Sequence, residues 1–201
     1  MNNFTVQALK KEQIDEVAAL IAKGYENDKF FAWVVENEED RHEIVTNYYK
    51  AYLSVEGCVS HVASSDNGTI IGATVWLPHD VDASLYETIN DAVGPYVATF
   101  QEVADRSHEN EPSAFDFYQL VGIVVKQEFR ELGVGRELLS TFLTELDERK
   151  IATYLEASTP YTGGGVYGKF NYRPYGERMV FAPGAVLYPL YRPVGGIFEN
   201  A

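Results

Sequence analysis

Apolar residues recur with two periods along this chain. Leu138, Leu139, Phe142, Leu143 and Leu146 fall on one face of a helix running from residue 136 to residue 149. The apolar run FYQLVGIVV begins at Phe117 and precedes that helix, and IATYLEAS, Ile151 to Ser158, follows it. Strand, helix and strand predict a βαβ crossover. Upstream, Phe4 to Leu9 reads as a first strand, followed by a helix with Ile14, Val17, Ala18 and Ile21 on one face and Gly24 as its stop. A second helix is predicted from about Glu39 to Val55, carrying Tyr48, Tyr49, Tyr52 and Leu53. Cys58 to Ser64 and Thr69 to Leu77 predict a hairpin around Asp66-Asn67-Gly68, which supplies the positive backbone angles of a tight turn. Pro78 to Pro112 is mostly helical in pattern, with Leu85, Ile89 and Val93, then Val97, Phe100 and Val103, and a break at Gly94-Pro95. The charged run Asp105, Arg106, Ser107, His108, Glu109, Asn110, Glu111 reads as a solvated loop. No repeat, low-complexity tract or linker divides residues 1–201, so a single domain is expected.

Candidate chemistry concentrates where the strand from Phe117 ends. The loop Arg130-x-x-Gly133-x-Gly135 leads directly into the helix. Such a turn offers unpaired backbone N–H groups and the positive end of the helix dipole to an anion. The two glycines allow a phosphate to approach closely, and Arg130 and Arg136 add charge. The crossover places this turn at the carboxyl end of its first strand, where open α/β sheets bind ligands. The dinucleotide fingerprint fits poorly, because Gln127, Glu128, Phe129 and Arg130 stand between strand and glycines. A phosphate-loop motif fails outright, since no Gly-Lys-Ser or Gly-Lys-Thr occurs.

Composition narrows the reading. The chain has 201 residues, 46% hydrophobic and 13% aromatic, enough for a large core and incompatible with general disorder. With 30 acidic and 16 basic side chains the formal net charge is −14, which argues against a nucleic-acid partner and favours a cationic one such as an amine. Cys58 is the sole cysteine, so no internal disulfide or cysteine cluster can form, no metal site is expected, and the residue reads as part of a strand near a buried face. The N-terminal MNNFTVQALKKEQIDEV lacks the charged head and apolar run of a signal peptide, and no stretch approaches the ~20 apolar residues of a membrane span. A cytoplasmic protein without membrane association is the expectation.

The residues quoted above resemble the GCN5-related N-acetyltransferases (the GNAT superfamily). In that family a hydrophobic strand precedes Arg or Gln-x-x-Gly-x-Gly or Ala and a helix, as in Arg130, Gly133, Gly135, Leu138 and Leu139. A later strand similar to Leu155-Glu156-Ala157-Ser158 leads to a helix with a tyrosine shortly before a Gly-Phe pair, and Tyr167-Gly168-Lys169-Phe170-Asn171-Tyr172 stands there. Phe31-Ala32-Trp33, Gly72 to Pro78, Pro183-Gly184 and Tyr191-Arg192 resemble the puromycin N-acetyltransferase-like branch. The resemblance implies an α+β fold, layered α/β/α, with a mixed, mostly antiparallel sheet of 6–7 strands flanked by helices. It implies transfer of acetyl from acetyl-CoA, as co-substrate, directly to a primary amine of a small molecule, peptide or protein; the segment from Pro78 to Pro112, by its position between the hairpin and the coenzyme strand, is the expected acceptor-binding insertion. Coenzyme contacts would come from Ile123, Val124 and Val125, from Arg130, Glu131, Leu132, Gly133, Val134, Gly135 and Arg136, and from Ser158 and Tyr167. Tyr167 would be the general acid, since a phenol stays protonated at neutral pH and can give its proton to a departing thiolate.

The chain departs from the pattern at three places. Gln127 replaces a proline, Gly163 replaces an asparagine four residues before Tyr167, and Asn171 with Tyr172 replaces the Gly-Phe pair. Asparagine tolerates the left-handed conformation, which makes the last exchange mild. Gly163-Gly164-Gly165 predicts a loose start to the tyrosine helix. For the general base, Glu156 in the second crossover strand, Asp116 before the first, His61, His79 and an ordered water all remain open. A non-catalytic acyl-CoA sensor and an interaction domain that has lost the coenzyme are the competing functions. The aromatic C-terminal strand, Val186 to Tyr191, could complete its own sheet or exchange with a neighbour, so a homodimer stays open.

Overall fold

The two periods of the sequence resolve into an open mixed sheet with helices on both faces. The computed structural model describes residues 4–81, 84–113 and 116–197. The strands are β1 (Phe4–Ala8), β2 (Val59–Ser65), β3 (Ile70–Pro78), β4 (Phe117–Val125), β5 (Ala152–Ala157), β6 (Arg173–Pro174), β7 (Met179–Ala182) and β8 (Ala185–Arg192). The helices are α1 (Ile14–Gly24), α2 (Lys29–Val34), α3 (Glu38–Ser54), α4 (Ser84–Val93), α5 (Val97–Asn110), α6 (Val134–Glu148) and the single turn α7 (Val166–Lys169). Strand order is β1-β2-β3-β4-β5-β8-β6, with β7 paired to the other end of β8. Counting the short β6 and β7 gives eight strands, against the six or seven expected. Among the described residues β4 and β5 form the one parallel pair, joined by α6 as the crossover requires.

Each face of the sheet has its own core. Val17, Ala18 and Ile21 of α1 pack with Val45 and Tyr49 of α3, Leu85 of α4 and Phe100 of α5 on one side. Leu139, Phe142, Leu143 and Leu146 of α6 pack over Trp76, Leu120 and Leu155 on the other. Gly24 ends α1 as the sequence predicts, but its main restriction lies elsewhere: a Cβ there would collide with the Val124 side chain, so glycine lets α1 sit directly against β4. The hairpin turn is held by Gly68 at φ +82° and by the Asn67 amide oxygen, which accepts from Thr69 N at 3.1 Å. Asp28 caps α2 by accepting from the amides of Phe30 and Phe31 at 2.8 and 3.2 Å.

The stretch from Asp105 to Glu111 corrects the expectation of a solvated loop. Residues through Asn110 continue α5, and only their outer face is solvated. Apolar spacing fades after Val103, so polar residues on a helix that is wet on one side read as a loop.

Candidate active site

An extra residue in β4 creates the site. Val75 pairs with Gly122 and Trp76 with Leu120, leaving Val121 as a bulge. Tyr49 braces it: its hydroxyl donates to the Val121 carbonyl at 3.0 Å, and its ring lies 2.8 Å from where a Cβ on Gly122 would stand. Parallel pairing of β4 with β5 stops at Leu120 opposite Leu155, and the two strands then diverge. Into that divergence opens a cavity of about 1140 Å³, lined by Gly122 to Val125 on one wall and Leu155 to Ser158 on the other. Beyond the bulge, the N–H and C=O of Ile123 both meet the Tyr25 hydroxyl, at 3.4 Å each.

At one end of the cavity lies the glycine turn. Gly133, at φ +87°, is the residue before α6, and no side chain caps the helix. The first-turn amides therefore face the cavity with the helix dipole behind them. Glu131 also adopts a positive φ, 65°, so two of three consecutive residues in the turn are left-handed. Nothing lies within 4 Å of a Cβ placed on Gly133, which makes backbone conformation the reason for glycine there. Arg130, Glu131, Gly133, Val134, Gly135 and Arg136 line the cavity. Arg130 donates to the Val125 carbonyl at 3.2 Å, and among the described residues neither Arg130 nor Arg136 forms an ion pair. Leu132 is 59% exposed and does not line the cavity. These residues fit a bound pyrophosphate: open amides, two guanidinium groups with no carboxylate partner among the described residues, and no side chain in the way.

The other end is acidic. Glu156 accepts from the Ser107 hydroxyl of α5 at 2.7 Å and from the Tyr154 hydroxyl at 2.9 Å. Burial raises its carboxyl to about 7, against the lowering effect of those two hydrogen bonds. Ser158 donates to Asp28 at 2.6 Å, tying the end of β5 to the start of α2. Tyr167 lines the cavity between the two ends, its ring 5.9 Å from that of Tyr172, and among the described residues its hydroxyl has no hydrogen-bond partner. Burial pushes its phenol well above the ordinary value, so it carries its proton at neutral pH.

Of the glycines flanking Tyr167, Gly165 and Gly168 are sterically constrained and Gly163 and Gly164 are not. A Cβ on Gly165 would meet the Thr162 hydroxyl at 2.8 Å, and one on Gly168 would collide with the Gly163 carbonyl. Asn171 has φ +62°, the conformation expected of the residue standing in for glycine.

The structure thus gathers Glu156, Tyr167, Ser158, the backbone of Ile123 to Val125 and the turn around one cavity. It leaves out the other proposed bases. The Asp116 side chain is 97% exposed and lies 4.0 Å from His79, and neither lines the cavity. His61 sits under α6 against Phe142, where burial lowers its pKa. Cys58 is half-buried beside β2 with its thiol pushed up to about 12 by burial. Sequence reasoning missed Tyr25, Asp28, Tyr154 and Ser107 as parts of the site. Asp28 followed by Lys29-Phe30-Phe31 carried a readable cap signal, whereas Ser107 was hidden in a charged run.

Solved structures of N-acetyltransferases share this fold. The histone acetyltransferase HPA2 and related acetyltransferase from Corynebacterium glutamicum superposes with a TM-score of 0.70 at 18% identity, over 96% of this chain and 97% of that one. Arylalkylamine N-acetyltransferase 2 from Aedes aegypti gives 0.63 at 12%, over 96% and 100%. A chain of the NatC complex bound to Gag peptide and CoA gives 0.55 at 11%, over 95% and 98%. No family model and no curated protein matches the chain. Among the described residues, no helix is long and apolar enough to cross a membrane.

Proposed function

We propose that the protein is an acetyl-CoA-dependent N-acetyltransferase that moves an acetyl group directly to a primary amine of a small molecule or peptide. The observation that carries this reading is the polarity of one continuous cavity: an uncapped helix start with two arginines that have no carboxylate partner among the described residues at one end, and a buried carboxyl group at the other. The first end suits a pyrophosphate and the second an ammonium. The fold shared with N-acetyltransferases, one solved with CoA, supports the same conclusion. The finer resemblance to the puromycin N-acetyltransferase-like branch is supported by the sequence segments alone.

When bound, acetyl-CoA supplies an activated acetyl thioester. The first-turn amides of α6 with Arg130 and Arg136 hold the phosphates. The backbone of Ile123, Val124 and Val125, past its last β5 partner, pairs with the pantetheine arm as with an added strand and aligns the acyl group beside the amine. Glu156, with its pKa near 7, takes the proton that makes the amine nucleophilic. Tyr167 keeps its proton until sulfur departs and then donates it.

Calorimetric titration with acetyl-CoA tests the reading. Binding is expected, and it should be lost in a Gly133→Asp/Gly135→Asp variant, which puts carboxylates in the phosphate turn. No binding to folded protein would overturn the proposal. Gly163 in place of asparagine favours a second reading, an acyl-CoA sensor, which would bind coenzyme and release no thiol with any amine.

A further inference from the structure

The acceptor end of the cavity has a composition of its own. Tyr25, Phe31, Tyr48, Tyr49, Tyr52 and Phe100 wall it. Their rings form a connected box: Tyr25 stacks on Tyr49 with centroids 6.0 Å apart, and Tyr48 meets Tyr52 and Phe100 at 4.7 Å each. The hydroxyls of that box are already engaged. Tyr48 and Tyr52 share a hydrogen bond of 2.8 Å, Tyr49 donates to the Val121 carbonyl, and Tyr25 lies against the Ile123 backbone. What the box offers a ligand is therefore ring surface rather than hydrogen-bonding groups.

The charged groups are equally restrictive. Among the described residues Glu156 has only neutral partners, Ser107 and Tyr154, so a cation can still join it. Asp28 is different: one oxygen caps α2 and the other accepts from Ser158. A polyamine would need a series of free carboxylates; Glu111 also lines the cavity but bonds to His108 at 2.7 Å, and Glu131 belongs to the glycine turn, which leaves Glu156 at this end. A peptide would need a row of partners for its amides; the rings give none, and α4 and α5 add beside them Asn90 and Gln101, the latter bonded to Asp105 at 2.8 Å. From above, α4 and α5 cover the box with Tyr86, Ile89 and Phe100, which limits the length of the occupant.

We propose that the acceptor is a primary amine on a short aliphatic arm carried by a flat aromatic ring, the ring held in the tyrosine box and the ammonium against Glu156. This rests on the acyl-transfer reading above. In the transfer the bound ammonium first gives one proton to Glu156; the neutral nitrogen then bonds to the acetyl carbonyl carbon, the carbon–sulfur bond breaks, sulfur leaves as the thiol with a proton from Tyr167, and the second proton lost by nitrogen returns to the Tyr167 phenolate. The ammonium also gains from the adjoining ring faces before it is deprotonated.

The test compares 2-phenylethylamine, spermidine and a tripeptide with a free N-terminus as acceptors, reading thiol release, with acetyl-CoA binding measured on the same protein. A kcat/KM for 2-phenylethylamine about tenfold or more above the other two is expected, because ring stacking contributes energy of that order. Tyr86, 45% exposed on α4, can be altered without disturbing the core. Tyr86→Ala should raise KM for 2-phenylethylamine severalfold and leave KM for acetyl-CoA unchanged; an unchanged KM for the amine would overturn the proposed box. Preference for spermidine or the peptide would overturn the acceptor class while leaving acetyl transfer intact. Acetyl-CoA binding with no thiol release to any of the three would overturn the transfer reading and this proposal together.

Discussion

The Ser107 hydroxyl donates to Glu156 Oε2 at 2.7 Å, joining the last turns of α5 to the diverging end of β5 across 49 residues of sequence. A hydrogen bond to the charged form lowers a carboxyl pKa, so this contact opposes the upward push of burial. Ser107→Ala should therefore move the acid limb of the kcat/KM profile to higher pH by roughly one unit. A pH–rate profile checks this, and an unmoved limb would mean that Glu156 is not the titrating base.

The same carboxyl makes stability depend on pH with a definite sign. Its folded pKa, about 7, lies above the reference value of 4.5. Below pH 4.5 the group is protonated whether the chain is folded or not. Between 4.5 and 7 the unfolded chain releases the proton first, so stability falls as pH rises and levels off above 7. Glu156→Gln removes that loss and should stabilise the protein by up to about 3 kcal/mol at pH 8 and by almost nothing at pH 4. Urea midpoints at the two pH values measure the difference; an equal effect at both would contradict the raised pKa.

Local features of the site were legible in the sequence, and long-range ones were not. Gly133 and Gly135 announced the phosphate turn because the requirement is local: a backbone reversal before a helix. Asn171 likewise carried its left-handed conformation in its residue type. The bulge at Val121 was invisible, since it depends on Tyr49, 72 positions away, to hold the extra residue. Glu156 was one of several equivalent carboxylates and histidines until the fold buried it beside Ser107 and exposed Asp116. The tyrosines of α3 read as a helix face, while their assembly with Tyr25 and Phe100 into one box required tertiary packing.

Tyr25 bears on coenzyme affinity. Its hydroxyl lies 3.4 Å from both the N–H nitrogen and the carbonyl oxygen of Ile123, long contacts occupying backbone groups that an added strand would use. An incoming pantetheine arm must displace it. Tyr25→Phe should then bind acetyl-CoA about two- to fivefold more tightly, the equivalent of one weak hydrogen bond. Calorimetry decides the matter, because weaker binding in the variant would show that the phenol contacts the coenzyme instead.

Arg192 couples the C-terminal strand to the helix turn that carries Tyr167. Its guanidinium meets Asp147 of α6 through bonds of 2.7 and 2.6 Å, and its Nε donates to the Phe170 carbonyl at 2.9 Å, directly after α7. Burial alone would raise the Asp147 carboxyl, but the Arg192 hydrogen bonds, the Gly195 amide and the Arg192 charge hold it below its ordinary value. The stability this pair contributes is present above the unfolded carboxylate pKa and is lost as pH falls through the folded one. Arg192→Met leaves Asp147 without its cation and Phe170 without its donor, and should cost about 3 kcal/mol at pH 7. The deficit should shrink on acidification, as Asp147 becomes neutral in the variant before it does in the parent. Denaturation at pH 7 and pH 4 tests both statements, and a deficit that grows toward low pH would refute the ion-pair account.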